Sequence, residues 1–177
     1  MARVPLIDEH ASGDVAAVVA RIRGARGGRL LNYYRALLNA PGLASAWLDF
    51  NNAVRFQTAL DERTRELAIM RVAILNRCDY VLDVHRARYA EPAGVTRAQV
   101  KALASWRKSK GFARRDRALL AYADAMTRDV EVSKTVFNAV REHFGAREIV
   151  ELTVLIAAYN MQTRVLKALD VDAERDT

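Results

Sequence analysis

The sequence is poor in cysteine, proline and histidine. Its 177 residues include one cysteine, three prolines and three histidines. A single cysteine cannot form an internal disulfide, and three widely separated histidines with one cysteine give no metal-ligand spacing. We therefore predict a protein without a disulfide framework and without a metal site, and we expect it to need no cofactor.

Glycine and proline are also missing from long stretches of the chain. Neither residue occurs in 43–91, in 112–144 or after Gly145. Strands need turn residues every several positions, and the chain has no run of alternating β-branched residues bounded by turn residues. Long segments without helix breakers favour helices. The sequence thus predicts an all-α fold, a multi-helix bundle.

Long apolar segments are absent as well. The longest apolar run, 149–161, is interrupted by Glu151 and is too short to span a bilayer, and the first residues lack the apolar segment of a signal peptide. We expect a cytoplasmic protein that does not enter a membrane. By length it is one domain over 1–177, with a core at about 43–169 and a helical N-terminal extension over 1–40.

Signals for helix starts and ends divide the chain further. Asp61 and Ser133 are expected N-caps, and Thr96 with Gln99 has the pattern of a capping box. Glu66-Leu67 and Glu151-Leu152 open two similar apolar segments, an echo that indicates an internal helical repeat. The predicted helices cover 14–23, 30–38, 43–56, 62–77, a segment from 78 or 79 up to Pro92, 97–107, 114–128, 133–144 and 147–169. The one over 62–77 is apolar nearly all round, as in a central buried helix.

Positive charge exceeds negative charge. The net charge is +7, and the segment 106–117 interleaves Trp106 and Phe112 with lysines and arginines. Such a segment can bind phosphate or single-stranded nucleic acid. We favour a solvated connector in an arginine-rich protein, so we do not expect nucleic acid as a partner. A basic field can also attract small anionic substrates.

Three chemically reactive residue types, Glu66, Cys78 and His85, lie in one breaker-free segment. Cys78 is at the start of a predicted helix, where backbone amides favour the thiolate. A carboxylate beside an imidazole fixes its tautomer and raises its basicity. If the two helices fold back on each other, the set can relay protons. The alternative is a buried helix pair with structural polar residues, in which Arg71 is paired with Glu66 or Glu151.

The same residues carry a family resemblance. Glu66, then eleven residues, Cys78, and His85 seven positions later resemble the core motif of the carboxymuconolactone decarboxylase and alkylhydroperoxidase D superfamily, with Val81 at the place of a second cysteine. The resemblance continues in the region of Pro41, in Glu66-Leu67, Tyr80, Ala90 and Gly94-Val95-Thr96, and in Tyr159-Asn160 and Arg164. It implies an alkylhydroperoxidase D-like helical bundle that forms a homo-oligomer: a dimer, trimer or hexamer.

The resemblance implies an enzyme acting on a small molecule. On the decarboxylase side of the family no cysteine is needed. His85 would then donate or shuttle a proton, with Glu66 orienting it and Tyr80 stabilising developing charge. Arg71 or Arg88 would bind a substrate carboxylate. The substrate would be anionic, a carboxylate or a lactone.

Two other functions stay open. A peroxidase-related antioxidant protein would use thiol chemistry at Cys78, although Val81 removes one sulfur of the redox pair that the family uses. A single thiol can still be oxidised and recycled by an external thiol. The third possibility is a non-enzymatic, oligomeric helical binding protein.

Overall fold

Helices make up all regular structure in the described part of the chain. The computed structural model describes residues 1–8 and 10–174. The α-helices in these residues are α1 (Asp14–Ala25), α2 (Asn32–Leu37), α3 (Pro41–Phe56), α4 (Glu62–Leu75), α5 (Asp79–Arg88), α6 (Arg97–Ala102), α7 (Arg114–Asp124), α8 (Lys134–Arg141) and α9 (Ala146–Leu169). The all-α prediction is confirmed.

The predicted helix starts agree with the observed caps. The Asp61 side chain accepts a hydrogen bond from the backbone N–H of Thr64 at 2.8 Å, and Thr96 with Gln99 forms the predicted capping box. Ser133 caps α8 through the N–H three residues later. These side chains accept from amides that have no partner within the helix, and each cap contributes about 1 kcal/mol.

Two predicted helices are interrupted. Instead of one helix over 97–107, α6 is followed by a 3-10 turn, Leu103–Lys108, with a kink at Ser105 (φ −122°, ψ 36°). Instead of running to 128, α7 ends at Asp124 and continues as a π-helical turn, Ala125–Asp129. A side chain contributes to the first break, because the Arg71 guanidinium donates to the carbonyl oxygens of residues 103 and 104.

The residues form two compact units. The first contains Met1–Ala53 and the chain from Val165 onward. Its core includes an aromatic cluster in which the ring of Tyr33 lies edge-on to Trp47, with centroids 5.6 Å apart, beside the fully buried Ile22 and Leu48. Edge-on aromatic pairs add about 0.5–1.5 kcal/mol to the burial of their area.

The second unit, Val54–Arg164, is built around α4. This helix packs against α5 and α7. Its apolar side chains are almost fully buried, among them Leu67, Ile69, Met70 and Val72, as the apolar pattern predicted. Burying one such side chain stabilises the fold by about 1.5–3 kcal/mol. The helix that carries Glu66 is therefore a rigid support.

Candidate active site

A hydrogen-bonded chain of three side chains lies inside the second unit. The Glu66 Oε2 atom is 2.5 Å from Nδ1 of His85, and Nε2 of the same imidazole is 3.3 Å from the Tyr159 hydroxyl. The Glu66 and His85 side chains are 7% and 5% exposed, and Tyr159 is fully buried. These hydrogen bonds link α4, α5 and α9, and a proton can be relayed along them.

The turn between α4 and α5 brings Glu66 and His85 together. Arg77 adopts a left-handed conformation, with φ +52°. Its N–H donates to the Ile74 carbonyl, and the N–H of Cys78 donates to the Ala73 carbonyl. This is the Schellman arrangement, which ends a helix and reverses the chain within a few residues. Helix α5 therefore packs directly on α4.

Arg55, near the end of α3, completes the surroundings of the carboxylate. Its Nη2 atom is 3.9 Å from Glu66 Oε1, and its guanidinium lies 4.7 Å from the centroid of the Tyr89 ring. Burial by itself lowers the pKa of the Arg55 guanidinium. The neighbouring Tyr159, Glu66 and Tyr89 outweigh burial and raise that pKa. The site therefore contains a permanent, partly buried cation.

The electrostatics favour a neutral imidazole. Burial lowers the pKa of His85 below its usual value, Glu66 opposes the shift through its hydrogen bond and charge, and the Arg55 charge adds to the lowering. In the neutral ring, Nδ1–H donates to the Glu66 carboxylate, and Nε2 accepts a hydrogen bond from the Tyr159 hydroxyl. A neutral imidazole oriented by a carboxylate can act as a general base.

Cys78 and Val81 lie at the start of α5, the helix that carries His85. Cys78 is the N-cap residue of α5 and is buried. It precedes His85 by seven residues, about 10 Å along a helix axis. Val81, one turn before His85 on the same face, is also buried. An aliphatic side chain thus lies between the thiol and the imidazole.

Tyr80 and Arg88 lie on α5 together with His85, with Tyr80 half-buried and Arg88 exposed. Tyr80 precedes His85 by five residues, which puts it about 140° around the helix. Arg88 forms no ion pair with Glu66 within the described part of the chain.

Arg71 is buried in a different cluster. Its Nε atom is 2.5 Å from Asp124 Oδ1, so the predicted pairing with Glu66 or Glu151 is wrong. Glu151 is bound instead by Arg147 at 2.8 Å. The periodicity of α4 indicated that Arg71 needs a carboxylate, but the partner comes from α7, a helix that is distant in sequence.

Two residues that contact the Glu66–His85 pair, Tyr159 and Arg55, were not among the site residues predicted from the sequence. A signal for Tyr159 existed, since Tyr159-Asn160 belongs to the resemblance described above. For Arg55 there was none, because the chain has many arginines and this one is marked only by its tertiary contacts.

Within residues 1–8 and 10–174, no group of three or more histidine, cysteine, aspartate or glutamate side chains is arranged to hold a metal ion. No helix in that part of the chain has the length and apolar character needed to cross a membrane.

Several known proteins are similar to this chain in sequence and in fold. Residues 41–125 match the model of the carboxymuconolactone decarboxylase family. The chain is 32% identical to the uncharacterized protein YnjA of Escherichia coli over 132 residues, which are 72% of this chain and 68% of that protein. A crystal structure from Agrobacterium tumefaciens, described as a putative antioxidant defence protein AhpD, is 27% identical with a TM-score of 0.73, covering 78% of this chain and 94% of that one.

The fold extends to nearly the whole chain in a further comparison. The debrominase Bmp8, solved in complex with 2,3,4-tribromopyrrole, superimposes with a TM-score of 0.78 at 21% identity, covering 98% of this chain and 94% of its own. Proteins of this fold therefore include an enzyme and a protein ascribed to antioxidant defence. On its sequence match and its architecture together, the chain belongs to the carboxymuconolactone decarboxylase family and has the alkylhydroperoxidase D-like all-α fold.

Proposed function

We propose that the protein is an enzyme that transfers protons on a small anionic substrate, in decarboxylase-like chemistry. The observation that supports this most is the buried Glu66–His85–Tyr159 chain with its neutral imidazole. Burial strengthens the hydrogen bonds of the chain and keeps water from competing for its proton. Nothing in this chemistry requires a thiol.

His85 is the central group of the proposal. It takes up one proton from solvent at Nε2, and the Glu66 carboxylate stabilises the imidazolium that forms. In a decarboxylation, the bond to the departing carboxylate breaks, carbon dioxide leaves, and the electron pair stays on the substrate as an enolate. The Tyr159 hydroxyl then gives its proton to the enolate carbon and is reprotonated by the His85 imidazolium. In this proposal the hydroxyl of Tyr159, and not that of Tyr80, stabilises the developing charge.

Arg55 is the cation that we assign to the substrate anion. Arg71 is occupied by Asp124 at 2.5 Å, and Arg88 is exposed. Arg55, in contrast, lies 3.9 Å from Glu66, too far for a hydrogen bond to that carboxylate, and its guanidinium also interacts with Tyr89. We assign its remaining donors to the substrate. A planar guanidinium binds a carboxylate through two parallel hydrogen bonds. The proposed substrate is therefore a small carboxylate or a carboxylated lactone.

Thiol chemistry at Cys78 is the second candidate. It is favoured by the position of Cys78 at the N-terminus of α5 and by the description of the Agrobacterium tumefaciens protein as a putative antioxidant defence protein. The buried Val81 weighs against a dithiol cycle, because it occupies the position of the second sulfur.

A proton-exchange screen tests the proposal. The protein is incubated in deuterium oxide with a panel of small keto acids and unsaturated lactones that carry carboxylates. Deuterium incorporation is followed by NMR and carbon dioxide release by a coupled assay. We expect turnover by the wild type, a loss of about 100-fold or more in His85→Gln and Tyr159→Phe, and a raised KM in Arg55→Gln.

Cys78→Ser is the matched control, because it changes one atom on the same helix. We expect it to keep its activity in the screen. Loss of turnover in Cys78→Ser, together with cysteine-dependent consumption of hydroperoxide by the wild type, would reject the acid–base function in favour of the thiol function.

A further inference from the structure

A second cluster of charged side chains lies at the basic segment that contains Trp106. A cavity of about 270 Å³ opens there, and its charged lining residues are Arg71, Arg107, Lys108, Asp124 and Arg128. Four cations and one carboxylate leave a formal excess of three positive charges. The cavity shares no lining residue with the Glu66–His85–Tyr159 chain. This excess of positive charge calls for an anion.

The carboxylate does not neutralise the whole cluster. Asp124 accepts hydrogen bonds from Arg71 at 2.5 Å, from Arg107 at 3.1 Å and from the Trp106 indole at 3.2 Å. Its two oxygens are therefore engaged by three donors. Lys108 and Arg128 form no ion pair with a carboxylate among the described residues. Both side chains line the cavity.

The wall that carries Arg107 and Lys108 is fixed by two other arginines. Arg71 donates to the carbonyls of residues 103 and 104. Arg117 donates to the carbonyls of residues 106, 107 and 109. The Arg107 guanidinium also stacks 4.3 Å above the buried Trp106 ring. Because the segment is held in place, little order has to be created when an anion binds.

The part of the cavity lining that contains Arg128 has an unusual backbone. Arg128 lies in the π-helical turn 125–129, and the next-but-one residue, Val130, has a φ of +66° and is exposed. A π-turn inserts an extra residue into a helix and redirects its side chains, and such turns are frequent at functional sites. A left-handed β-branched residue is costly. The π-helical turn and the strained backbone at Val130 together set the position of Arg128.

We propose that this cavity binds a small oxyanion with two negative charges, a phosphate group either free or on a small organic molecule. Three cationic side chains, Arg107, Lys108 and Arg128, match the several oxygens of a phosphate group. The volume suits a phosphate group with a few attached carbon atoms, since pockets for drug-sized ligands begin at about 300 Å³. The buried Trp106 ring offers no face for stacking a base, which argues against single-stranded nucleic acid as the ligand.

Calorimetric titration of the full chain with inorganic phosphate, in a low-salt buffer free of other polyanions, tests the proposal. We expect saturable binding that weakens as salt is added. Lys108→Gln and Arg128→Gln should each weaken it about tenfold. Arg114→Gln is the matched control, because Arg114 is exposed on the neighbouring helix and does not line the cavity. It should change binding less than about twofold.

A parallel titration with glycerol phosphate distinguishes the two sources of the group. Tighter binding of the ester than of inorganic phosphate supports a phosphorylated small molecule, and equal binding supports the free ion. The absence of saturable binding of both up to about 10 mM would overturn the proposal. An equal weakening in Arg114→Gln would also overturn it, since that result would indicate only a diffuse positive surface. Thermal melts of all three variants confirm that each is folded.

Discussion

The Glu66 carboxylate lies 2.5 Å from the imidazole of His85, with both side chains buried. The two residues are 19 positions apart and meet because the turn at Arg77 folds α5 onto α4. One oxygen of the carboxylate is bound by the imidazole, and the other is 3.9 Å from Arg55. The pair thus has a structural role and, in our proposal, a chemical one.

The two roles can be separated by comparing a variant of His85 with a variant of Tyr159. His85→Ala leaves a buried carboxylate without its close partner, so we expect the free energy of unfolding to fall by about 3–5 kcal/mol. Tyr159→Phe removes only a hydroxyl at 3.3 Å and should cost about 0.5–1.5 kcal/mol. Denaturant unfolding measures both values. Tyr159→Phe should therefore lose activity while keeping most of its stability. Equally large losses of unfolding free energy in both variants would indicate that the three hydrogen-bonded side chains have only a structural role.

Stability should depend on pH through His85. Its pKa is lowered in the folded state, while in the unfolded chain it is about 6.5. As the pH falls below about 6.5, the unfolded chain gains a proton that the folded protein does not bind. The free energy of unfolding should therefore decrease, by at most about 1.4 kcal/mol per pH unit. Urea titrations at successive pH values measure how the free energy of unfolding changes with pH. His85→Gln should remove the part of this change that comes from His85. A wild type that becomes more stable on acidification through this range would contradict the neutral imidazole.

The buried Asp124 allows a comparison of two ion pairs that share one carboxylate. Arg71 and Asp124 are both buried, and Asp124→Asn should cost about 3–5 kcal/mol because it leaves a buried guanidinium without a charged partner. Arg107 is 61% exposed, so Arg107→Gln should cost no more than about 1 kcal/mol. Thermal or chemical unfolding measures the difference. Similar losses in the two variants would show that burial does not set the strength of these pairs.

Val81→Cys should create the thiol pair that the chain lacks. The new sulfur would lie three residues after Cys78 and one turn before His85, on the face of α5 that packs inward. We expect the wild type to have low peroxidase turnover with a dithiol reductant and Val81→Cys to have a higher one. Val81→Ser is the matched control without a second sulfur. Efficient wild-type turnover that Cys78→Ser abolishes would show that one thiol is sufficient.

Assembly into a homo-oligomer remains a prediction. The apolar surface of α4 does not support it, because that surface is buried within the chain. On α9, in contrast, Val150, Val154 and Met161 are 62%, 38% and 40% exposed, and an apolar stripe of this kind suits a second copy of the chain. Light scattering should give a mass of at least a dimer, and Val150→Lys with Val154→Lys should lower it. A monomer at micromolar concentration in the wild type would refute the prediction.

The sequence by itself determined the helices and most of their starts. Asp61, Thr96 and Ser133 act locally, since each cap binds an amide three residues away. The central position of α4 also followed from its periodicity, because a helix that is apolar all round must be covered on all sides. Family membership followed from short motifs, and the spacing of Glu66, Cys78 and His85 located the site.

Tertiary structure alone decided which side chains meet. Arg71 needed a carboxylate, but Asp124 is 53 residues away and was not distinguishable from other acids in the sequence. Arg55 and Tyr159 come to His85 from helices on either side of it in the chain. The break after α6 is also the place of a distant contact, since the Arg71 guanidinium from α4 binds the carbonyls of the kinked segment. Periodicity reports which face of a helix is buried, whereas the choice of partner depends on the packing of the helices against one another.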